Sequence, residues 1–289
     1  MFKLIIAGLF IFVASVNVQA ETCPSHFANN SIPKLTNLKL SSHGHQLCYE
    51  AYSVYTSGLT RTAIWSAERL TPSNLELASR LQREDSFHPE PGIPYEDRAE
   101  LKNYARSGYD RGHMSPNGDM PTPTAQHESF SLANMIPQNP QNNRGLWAGI
   151  ESSVREYTKA NGSEVYVVSG PAFLADTNNQ LEALKGRVLI PTHIWKALYN
   201  PATGEAGVYW VANANVHDFE TISLAELNKR TGIDVFPNVT ESTKQTAMML
   251  PYSGKKFRKR YYEKKLSLDV MPPLLAEMLK FKQGLNRVY

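Results

Sequence analysis

Two cysteines in 289 residues are too few for a disulfide-rich scaffold or a four-cysteine zinc site. Excess charge of one sign is scarce too. Thirty Lys and Arg stand against 27 Asp and Glu, a formal net charge of +3, so overall charge names no partner and the positions of the charges must. With 17 glycines and 18 prolines, the chain is neither collagen-like nor a low-complexity linker. No apolar run approaches the roughly 20 residues of a membrane-spanning helix, and there is no internal repeat. What is present is 42% hydrophobic and 10% aromatic, enough for a core and against intrinsic disorder. The length allows one large domain or two ordinary ones.

Residues 1–20 read as a signal peptide. Lys3 is the only charge, an apolar run extends from Leu4 to Val16, and Val18-Gln19-Ala20 places small residues around a cleavage site. The mature chain then begins near Glu21 as a single domain over 21–289, with a core at about 50–250. It is secreted or periplasmic and has no membrane contact after cleavage. Export also bears on Cys23 and Cys48. In an oxidising compartment they are expected to pair across 25 positions and tie down the N-terminus; two separate buried thiols are the alternative.

Leu47–Ser57 alternates apolar and polar residues as a strand does. Thr62–Ala67 is its hairpin partner, with Gly58 at the turn. Residues 84–98 hold four Pro or Gly among acids and read as a surface loop. Further strands are expected at Glu164–Ser169, ended by Gly170-Pro171, and at Arg187–Ile190, Trp195–Tyr199 and Gly207–Ala212. A helix is expected over Thr221–Arg230, with Ser223 as cap, Glu226 three residues on and Gly232 as stop. Strands and helices without strict alternation indicate an α+β fold around a mostly antiparallel central sheet flanked by helices.

The chemistry concentrates between residues 109 and 151. Asp110-Arg111-Gly112-His113-Met114 joins an acid, a guanidinium suited to phosphate, a glycine that lets the backbone turn or approach a ligand, and an imidazole able to take a proton from water. Alone, that string also reads as a surface turn with a chance histidine. Farther on, Asn134-Met135-Ile136-Pro137-Gln138 precedes Asn143, Trp147 and Glu151. A helix starting near Asn143 would carry these last three on one face. Trp147 belongs in the core. An amide oxygen and a carboxylate one to two turns apart suit magnesium, which prefers oxygen ligands and keeps several waters. A capped helix with a solvated Glu151 is the plain alternative.

Taken together, Asp110–Met114, Asn134-Met135-x-Pro137-Gln138 and Asn143-x-x-x-Trp147-x-x-x-Glu151 resemble the DNA/RNA non-specific endonucleases. That group has a ββα-metal site and includes endonuclease G. Val167–Pro171 and Ile190–Lys196 agree with it. The resemblance implies His113 as general base, Asn143 as the single protein ligand of Mg2+ (with Mn2+ as substitute) and Glu151 as the acid that holds metal-bound water. It implies Asn134 beside the base and scissile phosphate, and Arg111 at the phosphate. A further arginine for the transition state matches Arg83 best, with Arg80 and Arg98 close by. Asp110 is read as orienting its neighbours. The substrates implied are DNA and RNA, since water and not the ribose 2′-OH attacks, with 5′-phosphate products. A homodimer is left open.

Between Lys255 and Lys265, seven cations and one acid lie among aromatics. Lys255, Lys256, Arg258 and Lys259 are candidate substrate-binding residues, although a solvated face reads equally well. A C-terminal helix is expected after Pro273. His43 and His45 fit no zinc spacing, and His193 reads as a packed residue. The expectation is a metal-dependent, sequence-independent endonuclease. The alternatives are a metal-dependent phosphodiesterase of small nucleotides and an inactive nucleic-acid-binding protein of the same fold.

Overall fold

A computed structural model of the chain describes residues 23–174 and 180–252. The signal peptide expected over 1–20, the basic segment with Lys255, Lys256, Arg258 and Lys259, and the expected C-terminal helix lie outside the described residues.

The frame is a seven-stranded antiparallel sheet. Its strands are β1 (Gly44–Cys48), β2 (Tyr52–Ser57), β3 (Thr62–Leu70), β6 (Val165–Ala172), β7 (His193–Asn200), β8 (Glu205–Ala212) and β9 (Glu220–Ile222). Their spatial order is β9-β8-β7-β6-β3-β2-β1. Two short strands, β4 (Asp110–His113) and β5 (Met135–Gln138), pair antiparallel outside this sheet. The fold is therefore α+β with a mostly antiparallel sheet.

Both sheet faces are buried, which follows from the period-2 alternation of the strands. On one face Leu70, Val165, Val167, Ile194 and Leu198 pack against Met114, Ile136, Trp147, Ile150 and Val154. On the other, Trp65, Ala67, Val168, Trp195 and Ala197 pack against Phe27, Leu224, Leu227 and Phe236. The first of these layers carries the chemistry.

Several boundaries differ from the sequence reading. Leu47–Ser57 is not one strand, because the chain reverses between Cys48 and Tyr52 and β1 pairs with β2. Strand β6 does not end at Gly170-Pro171 but runs to Ala172. Pro171 lies past Ser169, the last residue paired with β3, where only β7 remains as partner. The helix expected over 221–230 starts at Leu224, because residues 220–222 are taken by β9. Its ends are as expected: Ser223 accepts from the Glu226 amide, and Gly232 terminates it at φ 73°. Cys23 and Cys48 form a disulfide with Cα atoms 5.9 Å apart.

Candidate active site

The catalytic candidates sit on a strand–strand–helix unit. In the β4–β5 pair His113 faces Met135 and Gly112 faces Ile136. Gly112 is required by a close approach, though not to a ligand: a Cβ there would stand 2.1 Å from Gln138 Oε1. After β5 the chain turns into a helix earlier than expected, at Pro140, capped by Asn139, whose side chain accepts from the Gln141 and Asn142 amides. A π-helical turn follows over Asn143–Trp147, and then α3 (Ala148–Asn161), α1 being Pro72–Ala78 and α2 Pro123–Ser129. A π turn widens the helix locally and is common at functional sites. Trp147 is 1% exposed, in the core.

His113, Asn143 and Glu151 all line one cleft of about 940 Å³. Arg83, Arg106, Arg111, Arg144 and Arg155 line it too, and among the described residues Asp110 and Glu151 are its only acids. His113 is clamped between two aromatic rings, Phe130 at 5.2 Å edge-on and Phe87 at 5.7 Å. The same rings seat the arginines: Arg111 lies 3.9 Å over Phe87 and Arg83 5.2 Å over Phe130. His113 Nε2 is shielded and has no hydrogen-bond partner. Burial pushes the imidazole down to about 3, and Arg83 and Arg111 add to this while Asp85 opposes it. The result is a neutral imidazole beside positive charge, which is the form that accepts a proton.

Asn143 donates through Nδ2 to Asp110 Oδ2 (3.0 Å), which turns the other end of its amide, the oxygen, away from that contact. Asp110 also takes both Nε and Nη2 of Arg144, at 2.9 and 2.7 Å, so it acts on its neighbours. Burial raises Glu151 to about 7; Lys196 and Arg155 pull it back and Asp119 pushes it up. Among the described residues no group of three or more His, Cys, Asp or Glu could hold a metal ion. Asn143 and Glu151 would offer an ion an amide oxygen and one carboxylate. That fits a hard ion that keeps most of its water, and it does not fit a dehydrated, fully ligated one.

Three candidate arginines are separated by their partners. Arg83 lines the cleft, with its Nε on Asp85 (2.6 Å). Arg80 pairs with Glu76. Arg98 is spent on Glu100 and on the Glu90 and Ile93 carbonyls. Asn134 is placed differently from its expected position at the phosphate. It is fully buried, donates to the Ser115 and Ser129 carbonyls and accepts from the Ser115 amide. Every arm of its amide is used on backbone, so it braces the chain just after His113. His43 and His45 both bond Asp97, and His193 stacks on Trp210 at 5.0 Å.

Sequence reasoning missed Arg155 and the two aromatic clamps. Arg155 lines the cleft and is bonded to Asp119 (2.8 Å). It continues the four-residue spacing of Asn143, Trp147 and Glu151, a signal that was there to read. Nothing local marks Phe87 or Phe130, which come from a loop and a turn far apart in sequence.

A family model described as DNA/RNA non-specific endonuclease matches residues 34–242. Nuclease C1 of Cunninghamella echinulata var. echinulata is 32% identical over 211 residues, 67% of this chain and 83% of its own length. Mitochondrial endonuclease G of Homo sapiens is 29% identical over 228 residues, 73% of either chain. Among solved structures, the EndoG/EndoGI complex, determined for the mechanism of EndoG inhibition, matches with a TM-score of 0.60. It is 25% identical, over 71% of this chain and 90% of that one.

Proposed function

Because the chain belongs to the DNA/RNA non-specific endonuclease family and is a nuclease, we propose that it is a secreted or periplasmic, Mg2+-dependent endonuclease. In this reading one domain from residue 21 onward cleaves DNA and RNA without regard to sequence and leaves 5′-phosphate ends. One observation carries it: a neutral imidazole, an oriented amide oxygen and a carboxylate meet in a single open cleft walled by five arginines. Such a wall suits a polyanionic strand.

His113, a neutral imidazole lining the cleft, takes the proton from the attacking water. Arg111 and Arg83, held over the Phe87 and Phe130 rings, place fixed positive charge where the phosphorus centre gains negative charge. Asp110 holds Asn143 by its amide nitrogen, so the oxygen is the end presented to the ion. Glu151 offers its carboxylate to the ion's water shell. Asn143 and Glu151 would hold a divalent ion such as Mg2+ there, which would supply positive charge to the phosphate and its leaving group. Export is supported by the leader-like residues 1–20 and by the Cys23–Cys48 disulfide.

The test is mature protein with supercoiled plasmid and with RNA, with and without chelator. Both polymers should be cut, chelator should stop cutting, and the ends should be ligatable 5′-phosphates. His113→Ala should be silent while still binding DNA. Turnover of bis-p-nitrophenyl phosphate without plasmid cleavage would refute the endonuclease reading.

A further inference from the structure

Beneath the cleft lies a buried charge that the reaction does not use. Lys196, on β7 between Ile194 and Leu198, faces the catalytic layer and is 1% exposed. Its Nζ donates to Ser169 Oγ at 2.7 Å on the neighbouring strand β6 and reaches the Met114 carbonyl at 3.5 Å. It also stands 5.4 Å over the Trp147 ring. None of these three partners is charged. A buried ammonium without a bonded carboxylate is costly, and an apolar side chain of similar volume is usually tolerated at least as well. The sheet has no need of a charge at this position, because the residues on either side of it are ordinary core.

The contacts show what the charge does. Met114 directly follows His113. Trp147 lies midway between Asn143 and Glu151 on the helix. Lys196 is thus a single point on the rigid sheet that touches both the strand and the helix of the catalytic unit. We propose that Lys196 is a positioning residue, which locks the strand bearing His113 and the helix bearing Asn143 and Glu151 to one place on the central sheet. The proposal rests on the reading of those three as the working groups.

A second buried ionisable group lies in the same layer. Glu68, on β3, shares the sheet face, is 2% exposed, and neither of its carboxyl oxygens has a hydrogen-bond partner. Burial first, and then Asp119, pushes its carboxyl well above the usual range, and Lys196 opposes them. Lys196 in turn is the foremost of the charges that draw Glu151 back towards its ionised form.

The experiment compares Lys196→Met with the wild type on plasmid. Met keeps the length and drops the charge, so the fold should be at least as stable. A loss of alignment in the catalytic unit should lower kcat by roughly 10- to 100-fold and leave KM within about twofold. A folded variant with kcat within about twofold of wild type overturns the proposal, and so does one whose KM alone rises. If Lys196→Met fails to fold, Ser169→Ala carries the test, because it removes the 2.7 Å acceptor and leaves the apolar packing. It should lower kcat several-fold at unchanged KM, and an unchanged kcat overturns the proposal. His113→Ala separates the two levels of inference. If it remains active, the reading of the site fails. If it is silent while Lys196→Met works normally, only the role of Lys196 fails.

Discussion

Acid should destabilise this protein through His113, and replacing that residue should remove the effect. Burial, with Arg83 and Arg111 beside it, holds the imidazole at about 3 against an ordinary 6.5. Between those values the unfolded chain binds a proton that the folded chain refuses. The stability gained from the neutral side chain is therefore complete above pH 6.5 and is lost as pH falls towards 3. Each pH unit in that window is worth about 1.4 kcal/mol, so the whole interval amounts to about 5 kcal/mol. His113 keeps an open side towards the cleft, and solvent there relieves part of the penalty; about 2–3 kcal/mol is the working figure. That is a large share of a typical stability of roughly 5–15 kcal/mol. The assay is urea unfolding followed by tryptophan fluorescence at pH 7, 6, 5 and 4, in chelator, for wild type and His113→Gln. Glutamine cannot take the proton. Glu151, raised by burial, acts in the opposite sense, adding stability as pH falls, but it is common to both proteins and drops out of the difference. Relative to pH 7, wild type at pH 4 should lose about 2 kcal/mol more than the variant. Parallel curves would refute the claim that the folded chain keeps this imidazole neutral by burial.

Other substitutions test separate parts of the site. Asp110→Ala removes the anchor of Asn143 and Arg144; the metal concentration for half-maximal activity should rise roughly 10-fold or more, with activity recovered at saturating metal. An unchanged metal titration would count against the role given to Asp110. Gly112→Ala forces a Cβ towards Gln138 and should cost about 1–3 kcal/mol in unfolding experiments, with kcat lowered because His113 is the next residue. Reducing the Cys23–Cys48 bridge, which spans 25 positions, should cost about 3 kcal/mol in thermal unfolding and leave kcat alone, since the bridge lies outside the cleft.

Much of the site was legible because its chemistry is written in short segments. Asp110–His113 is one strand, and Asn143, Trp147 and Glu151 lie on one continuous helix, so spacing along the chain already constrained their relative placement. The boundaries were less legible. Leu47–Ser57 satisfies a strand pattern throughout, and only the pairing of β1 with β2 shows that it contains a reversal. Pro171 looked like an end because a proline lacks a donor, yet past the last β3 partner the strand continues without that bond.

The sequence by itself determined the family, the α+β class, the residues at the centre of the cleft and the caps of the helix at Leu224–Thr231. These are local patterns, fixed by periodicity and by chemistry within a few residues. Only the tertiary structure decided which arginine joins the cleft, since Arg80, Arg83 and Arg98 differ in their partners and not in their surroundings along the chain. It moved Asn134 from the phosphate to the backbone behind His113. It also brought Phe87, Phe130 and Lys196 to the catalytic unit from separate elements. The physical reason is that burial, field and seating arise from groups distant in sequence, so the low proton affinity of His113 exists only once the sheet and the helix have closed around it.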